Sequence, residues 1–525
     1  METARFPLRF NYGHIAMPAR SKRASDPSIE DVESSVATEE VGEVDLRAAS
    51  AFASAEGAAP DPILSMRDAY LADPAEKKLN LAVGVYRTAE GQPYVLDCVQ
   101  EAEADLLETQ REGRAFKEYL PPVGMASFCE ASLRLLLGES ITAPLAEDRV
   151  VTAQSLSGTG GLHLAARMLA QLKPGATVHL PTPTWPIHPD IFTTCGLKVS
   201  YYPYYDPATC GLNFDGMIAT LSALPIGSVV LLHACAHNPT GVDPTWWQWG
   251  EIAKVVAQRA LLPLVDAAYQ GFASGDLDLD ARGVRMLAAI EGVEMITVQS
   301  YSKNMGLYAE RAGVLAMICR ETDVAERCRQ QLARTIRLTH SSPPQHGAAL
   351  VATILGEPGR SAAWRLELAA MAARLHAMRR ALHAALVRVE SPPPDGASDW
   401  RRVLEQRGMF TYTGLSRGQA RAAAGGLPFP PSPYSSPVPR PLSPQPLPPL
   451  GRSRHCASST TSTCRWTAGS AWPHSPKRAA RCSPPPSRTS SSPPAQAPHS
   501  SPRASASTRR TPGRSNRRWR SRRRR

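Results

Sequence analysis

The octapeptide Gln299-Ser300-Tyr301-Ser302-Lys303-Asn304-Met305-Gly306 closes an apolar run, and α/β sheets present ligands at the carboxyl ends of such strands. A lysine there, with a serine three residues before it and Arg311 eight after, suits a Schiff-base amine. Lys303 would hold an aldehyde while Ser300 and Arg311 take a phosphate. In Val265-Asp266-Ala267-Ala268-Tyr269 an acid ends another apolar run. Asp266 could pair with a protonated pyridine nitrogen, and Tyr269 could reach a ring hydroxyl. Ser157-Gly158-Thr159-Gly160-Gly161 follows Val150-Val151 and opens a helical pattern, so its small residues let backbone N–H groups approach an oxyanion at a helix N-terminus. Asn238, in His237-Asn238-Pro239-Thr240-Gly241, offers an amide, and Trp185 offers a flat face for stacking a heteroaromatic ring. Singly, each has a plainer reading: a glycine turn, a solvated loop lysine, a helix N-cap, an Asn-Pro turn, a core tryptophan. Their joint occurrence, each at the end of a predicted strand, favours a single site.

The elements that must position them alternate from about Asp61 to Leu415. Short aliphatic runs predict strands at Thr177–Leu180, Ser228–Leu232, Leu261–Val265, Ile296–Gln299 and Gly313–Ile318. Helical spacing covers Trp246–Arg259, Thr322–Leu338 and a long Ala/Leu/Arg-rich stretch from Ala362 to Val389, which Pro392-Pro393-Pro394 ends. This alternation is that of an α/β sheet with helical crossovers.

The 525 residues carry a formal charge of +12, unevenly spread. Residues 421–525 hold 20 Lys+Arg and no acid, leaving 39 basic against 47 acidic residues before them, a mildly acidic body at −8. Ten cysteines lack the paired short spacings of a zinc site, so no metal is expected. No apolar run reaches the roughly 18 residues of a membrane span, and a soluble intracellular protein is expected. Arg5, Arg9, Arg20, Lys22 and Arg23 stand against the single acid Glu2, which reads either as an organelle transit peptide or as a plain extension. Cytoplasm, chloroplast and mitochondrion all stay open.

From about Asp61 to Leu415 the chain resembles the class I aminotransferases, and within them the aspartate aminotransferase branch. The likeness runs through Leu79-Asn80-Leu81, Val83-Gly84-Val85-Tyr86-Arg87, Lys117-Glu118-Tyr119-Leu120-Pro121, His233 to Pro244, Ala268 to Asp276 and Gln299 to Arg311. It implies the type I fold of pyridoxal 5'-phosphate enzymes: a large, mostly parallel seven-stranded sheet sandwiched by helices, with a smaller α/β domain built from N- and C-terminal segments. The expected division is an extension at 1–47, an N-terminal arm and part of the small domain at 48–94, the large cofactor-binding domain at 95–345, an incomplete small domain at 346–418, and a disordered Pro/Ser/Arg-rich tail at 419–525.

The resemblance also implies roles. Lys303 is the Schiff-base lysine and proton shuttle, Asp266 the pyridinium partner, and Asn238 with Tyr269 the ligands of the ring oxygen. Trp185 stacks on the ring, while Ser157, Gly158, Thr159, Ser300 and Arg311 form the phosphate cup. Tyr119 reaches the phosphate of a neighbouring subunit, which implies a homodimer with shared sites. Gly84, Trp185, Asn238 and Arg337 contact substrate, Arg337 reading the distal carboxylate of dicarboxylic amino acids and 2-oxo acids. Ser341-Ser342-Pro343-Pro344 also looks like the aromatic aminotransferase branch.

The pattern breaks after Leu415. The family's Gly-Arg-Ile-Ser segment, whose arginine binds the substrate α-carboxylate, is missing, which would weaken substrate anchoring by about 2–5 kcal/mol. Codons allowed for Ser462 to Ser475 spell Tyr-Leu-Pro-Val-Asp-Gly-Arg-Ile-Ser-Met-Ala-Ala-Leu in a neighbouring frame, so the tail reads as an out-of-frame translation. The other reading makes it a basic nucleic-acid-binding module. Without aromatic interleaving in the tail, no nucleic-acid partner is expected.

Overall fold

The computed structural model describes residues 50–420, apart from 51, 58–60, 82, 114–116, 143–146, 395–398 and 417. The expected extension at 1–47 and the tail from 421 onward lie outside the described residues.

Seven strands form one sheet: β1 (Val150–Leu156), β2 (Thr177–Thr182), β3 (Lys198–Pro203), β4 (Val229–His233), β5 (Leu262–Ala267), β6 (Met295–Ser300) and β7 (Ala312–Ile318). Their order is β1-β7-β6-β5-β4-β2-β3. All pairings are parallel except those of β7, which runs antiparallel to both β1 and β6. The helices that matter for the site are α1 (Asp97–Arg111), α2 (Ala126–Leu137), α3 (Ser157–Leu172), α4 (His188–Thr194), α5 (Trp246–Gln258), α6 (Thr322–Thr339), α7 (His346–Gly356) and α8 (Pro358–Arg388).

The central strands are buried on both faces, and their alternating residues enter different cores. Val229, Leu231 and Leu264 pack with Leu164 and Met168 of α3 and Leu332 and Ile336 of α6. Val230, Leu232 and Val265 pack with Ile252 and Val256 of α5 and with Leu136 and Leu137 of α2. Helices thus cover both faces, as parallel strands require. A third cluster joins α1, α7 and α8 to the loops beyond the strands, with Trp364 and Leu368 of α8 against Phe272 and Met305.

Local signals explain the helix ends. Thr245 and Gln248 form a reciprocal capping box that starts α5. Glu357 accepts from the N–H groups of Gly359 and Arg360 and Pro358 takes the first helical position, so α8 begins four residues before the expected Ala362. On α8, Trp364 donates its indole N–H to the Asn304 carbonyl at 2.8 Å, which clamps the residue next to Lys303. Buried Arg379 donates to the carbonyls of Val403, Gly408 and Phe410, which sets Phe410 edge-on to Tyr269 with centroids 5.8 Å apart.

The loop after β5 is held by one acid. Asp280 accepts from the N–H groups of Gly271, Ala273 and Ser274 at 2.8–3.0 Å. Asp280→Ala leaves those donors without an acceptor and is expected to destabilise the protein by about 3 kcal/mol or more in urea unfolding, at unchanged m-value. A loss below about 0.5 kcal/mol would contradict this role.

Candidate active site

Ser300 ends β6, Asp266 is the last residue but one of β5, His233 ends β4 and Leu156 ends β1, so four parallel strands deliver their ends to one edge. Because β7 is antiparallel, Arg311, the residue before it, arrives at that same edge. There a cavity of about 110 Å³ is lined by Ser157, Gly158, Thr159, Trp185, Asn238, Asp266, Tyr269, Ser300, Lys303 and Arg311, together with Leu162, Ala268 and Ser302. Ten of the residues singled out in the sequence therefore meet in one place.

At one end of the cavity hydroxyls gather. The Ser157 hydroxyl lies 2.8 Å from that of Ser300 and 2.7 Å from that of Ser302, and Arg311 Nη1 donates to Ser302 Oγ at 3.2 Å. Ser157 opens the 16-residue α3, whose first N–H groups have no intrahelical acceptor. Ser157 and Arg311 both adopt positive φ, 59° and 54°, and are joined by a Ser157 N–H to Arg311 C=O bond of 3.0 Å. Side chains rarely sit in that region, which costs on the order of 1–3 kcal/mol each and gathers at ligand clamps. Gly313 allows the crossing, since a Cβ there would stand 2.7 Å from Ser157 Cα and 2.6 Å from the Gln299 carbonyl oxygen. Three hydroxyls, a guanidinium and a helix N-terminus make a cup for a phosphate dianion.

The other end is built around Asp266. Its Oδ2 lies 3.2 Å from His188 Nε2, whereas its Oδ1 is buried without a hydrogen-bond partner. A chain of bonds sets the orientation of that pair. The Asn238 N–H donates to His233 Nδ1 at 3.3 Å, so the His233 proton sits on Nε2, which meets Thr184 Oγ1 at 3.2 Å. Thr184 then donates to His188 Nδ1 at 2.8 Å, leaving His188 Nε2–H for Asp266. Burial, reinforced by His188, pushes His233 down to about 3 and keeps it neutral. Burial alone would raise the Asp266 carboxyl, but the hydrogen bond from His188, with the nearby Lys303 charge, holds it below the ordinary aspartate value. A buried carboxylate with one open oxygen calls for a donor such as a pyridinium N–H, so the residues present fit pyridoxal phosphate.

Between the two ends stands Lys303. Burial, then the Arg311 charge, pushes its amine down to about 8 against the pull of Asp266. Asn238 Nδ2 donates to the Tyr269 hydroxyl at 3.3 Å, and burial with the Asp266 charge pushes that phenol up.

Three expected site residues lie outside the cavity. Tyr119 is 84% exposed, Arg337 is exposed near the end of α6 and donates to Ser341 Oγ, and half-buried Gly84 faces Phe410. Conversely, His188, His233, Thr184 and Ser302 take part in the site without carrying a role in the sequence motifs. Ser302 stood one residue from Lys303, and His188 one helical turn after Thr184, which was the only available signal.

The family model of class I and II aminotransferases matches residues 76–425. The chain belongs to that family. It is 48% identical over 374 residues to the cytoplasmic aspartate aminotransferase of Oryza sativa subsp. japonica, covering 71% of this chain and 89% of that one. It is 49% identical over 370 residues to the chloroplastic aspartate aminotransferase 3 of Arabidopsis thaliana, 70% of this chain and 80% of that one. Among solved structures, the aspartate aminotransferase from Saccharomyces cerevisiae cytoplasm aligns with a TM-score of 0.66 at 35% identity, over 70% of this chain and 88% of that one. The aromatic-amino-acid aminotransferase of Burkholderia pseudomallei, covalently bound to pyridoxal phosphate, aligns with a TM-score of 0.65 at 41% identity, over 70% and 89%. The mostly parallel sheet with helices on both faces is the type I fold of this aminotransferase family.

The lowered Lys303 value carries a signed consequence. Between about 8 and the ordinary lysine value of 10.5 the unfolded chain binds a proton that the folded chain has lost, so this residue's contribution to stability rises with pH across that window. Below it, the buried ammonium destabilises the fold. In the cofactor-free protein, Lys303→Met is expected to be more stable than the parent at neutral pH by up to about 3 kcal/mol, an advantage that fades as pH approaches 10.5. Paired urea titrations check it, and a difference independent of pH would contradict it.

Proposed function

We propose that this aminotransferase moves the amino group of L-aspartate to 2-oxoglutarate, giving oxaloacetate and L-glutamate in two half-reactions, with pyridoxal phosphate in the cavity around Lys303. The observation that carries the reading is the convergence there of a buried amine of lowered pKa, a hydroxyl and guanidinium cup, and an ionised acid with one open oxygen. Bound pyridoxal phosphate supplies an aldehyde carbon for amine exchange and a protonated ring that withdraws electrons from the substrate α-carbon.

The chain's own residues do the rest. Ser157, Gly158, Thr159, Ser300 and Arg311 anchor the phosphate, and Asp266, oriented by His188, keeps its open oxygen toward the ring nitrogen. Trp185 stacks on the ring, while Asn238 and Tyr269 turn their polar groups to the ring oxygen. Lys303 Nζ, once free, takes the proton from the substrate α-carbon; an amine titrating at about 8 is partly unprotonated at neutral pH and close to matched for that transfer.

The dicarboxylic preference rests on Arg337, whose planar fork binds a carboxylate bidentately, and on the names of the rice and Arabidopsis relatives. We read the protein as a homodimer with shared sites. Tyr119 and Arg337 serve the neighbouring subunit in this reading, and their exposure outside the cavity of their own chain supports it. Gly84, beside Phe410, borders the substrate. Ser341-Ser342-Pro343-Pro344 favours a second reading, an aromatic aminotransferase.

Loading the full chain with pyridoxal phosphate, reducing with borohydride and mapping peptides is expected to put the phosphopyridoxyl mass on Lys303; its appearance on another lysine, or nowhere, would sink the proposal. Arg337→Leu is expected to lower kcat/KM for aspartate by about 10²-fold or more while changing that for phenylalanine less than about tenfold. Equal losses for both substrates would remove the dicarboxylic reading.

A further inference from the structure

Tyr308 follows Lys303 by five residues, and the chain reverses between them. The Gly306 N–H donates to the Lys303 carbonyl at 3.1 Å, and the Leu307 N–H donates to the Tyr301 carbonyl at 3.4 Å. Gly306 takes a φ of +65°, where a side chain would be strained, and a Cβ there would stand 3.3 Å from the Tyr94 carbonyl oxygen. This reversal lays the Tyr308 ring against the lysine. Nζ stands over the ring, 5.3 Å from its centroid, and among the described residues it makes no hydrogen bond or ion pair.

The polar groups of Tyr308 are engaged as well. Its hydroxyl accepts the Tyr86 N–H at 2.8 Å, across 222 residues of chain, and its carbonyl accepts Arg311 Nη1 at 2.9 Å. Tyr86 lies two residues beyond Gly84, in a segment that Arg374 holds from α8: its guanidinium rests 5.3 Å from the Tyr86 ring centroid and donates to the Arg87 carbonyl at 2.6 Å. One residue therefore touches the amine, the guanidinium of the phosphate cup and the segment that borders the substrate.

An aromatic face carries partial negative charge and attracts a cation within about 6 Å of its centroid, more strongly where water is excluded. Burial raises the Tyr308 phenol against the Tyr86 bond and the Arg87 charge, so the ring stays neutral. The other titratable groups facing Lys303 are Asp266 from β5, Tyr269 from the loop after it, and Arg311 before β7. Arg311 repels an ammonium there; Asp266 attracts it but, in the aminotransferase reading, faces the ring nitrogen.

We propose that Tyr308 is a positioning residue, whose ring face seats the ammonium that Lys303 becomes on taking the proton from the substrate α-carbon, and whose hydroxyl fixes the loop at 84–86 relative to that amine. The α-carbon side keeps the electron pair, Nζ gains the proton and its charge, and the seat holds Nζ until that proton moves on. This role rests on the aminotransferase reading; the contact between the amine and the ring does not.

The test uses the full chain without cofactor, where the Lys303 amine is free. Competitive acetylation across pH, read by mass on the Lys303 peptide, gives the titration midpoint of that amine, and amide hydrogen exchange reports on Tyr86. Two replacements of Tyr308 share a shape and lack the hydroxyl: Tyr308→Phe keeps the negative ring face, and pentafluorophenylalanine at this position reverses it. The expected midpoint is about 8 in the parent, within about 0.2 of that in Tyr308→Phe, and lower by about 0.5 or more with the fluorinated ring. Tyr86 is expected to exchange about tenfold faster in both. A packing role alone would shift neither ring against the other, so coinciding midpoints, or a midpoint raised by fluorination, would overturn the seat, and unchanged Tyr86 exchange in Tyr308→Phe would overturn the role of the hydroxyl. A phosphopyridoxyl adduct on Lys303 alongside coinciding midpoints would leave the aminotransferase reading standing and remove this one.

Discussion

The site depends on a carboxylate that the fold satisfies only by half. Asp266 is buried, one oxygen is paired with His188, and the other has no partner. Leaving an acceptor of that kind unpaired costs about 1–3 kcal/mol, more for a charged group. The cost persists because Asp266 sits on a strand buried on both faces, where it cannot turn to solvent. His188 cannot turn either, since Thr184, His233 and the Asn238 backbone fix its donor in sequence. The fold thereby holds a negative charge with one oxygen that no donor among the described residues meets.

Strand direction makes the opposite end possible. Four parallel strands bring their carboxyl ends to one edge, and a phosphate needs a strong cation there as well. The antiparallel β7 meets that need by presenting its start, Arg311, at the edge where its neighbours finish. Positive φ at Ser157 and Arg311 and the absent Cβ of Gly313 are the local adjustments that let the start of α3 and the start of β7 touch. Lys303 between the two ends is pushed toward neutrality by the burial and by the guanidinium that the phosphate requires.

Much of this was legible in the amino-acid order because strands buried on both faces are written as continuous aliphatic runs. The five expected strands appear, four of them longer by one or two residues and the fourth in chain order of the sheet, Val229–His233, shifted by one. Two strands escaped notice for physical reasons. β1 continues past Val151 as Thr152-Ala153-Gln154-Ser155, and its polar residues are buried because they bond elsewhere: Gln154 to the Pro344 carbonyl and Ser155 to the Ser157 carbonyl. β3 is an edge strand with a half-exposed, mixed sequence and no continuous apolar run. His188 was invisible because its partner, Asp266, is 78 residues away, and only the sheet order brings them together. Tyr119, Gly84 and Arg337 came from family likeness alone, and a single chain leaves them outside the cavity.

The central claim, that Asp266 keeps a ring nitrogen protonated, is tested most directly by nitrogen-15 NMR of the protein loaded with pyridoxal phosphate labelled at that atom. The account predicts a protonated nitrogen in the parent at neutral and mildly alkaline pH, and its conversion to the unprotonated form in Asp266→Ala. An unprotonated nitrogen in the parent, or a resonance that Asp266→Ala leaves unmoved, would contradict it.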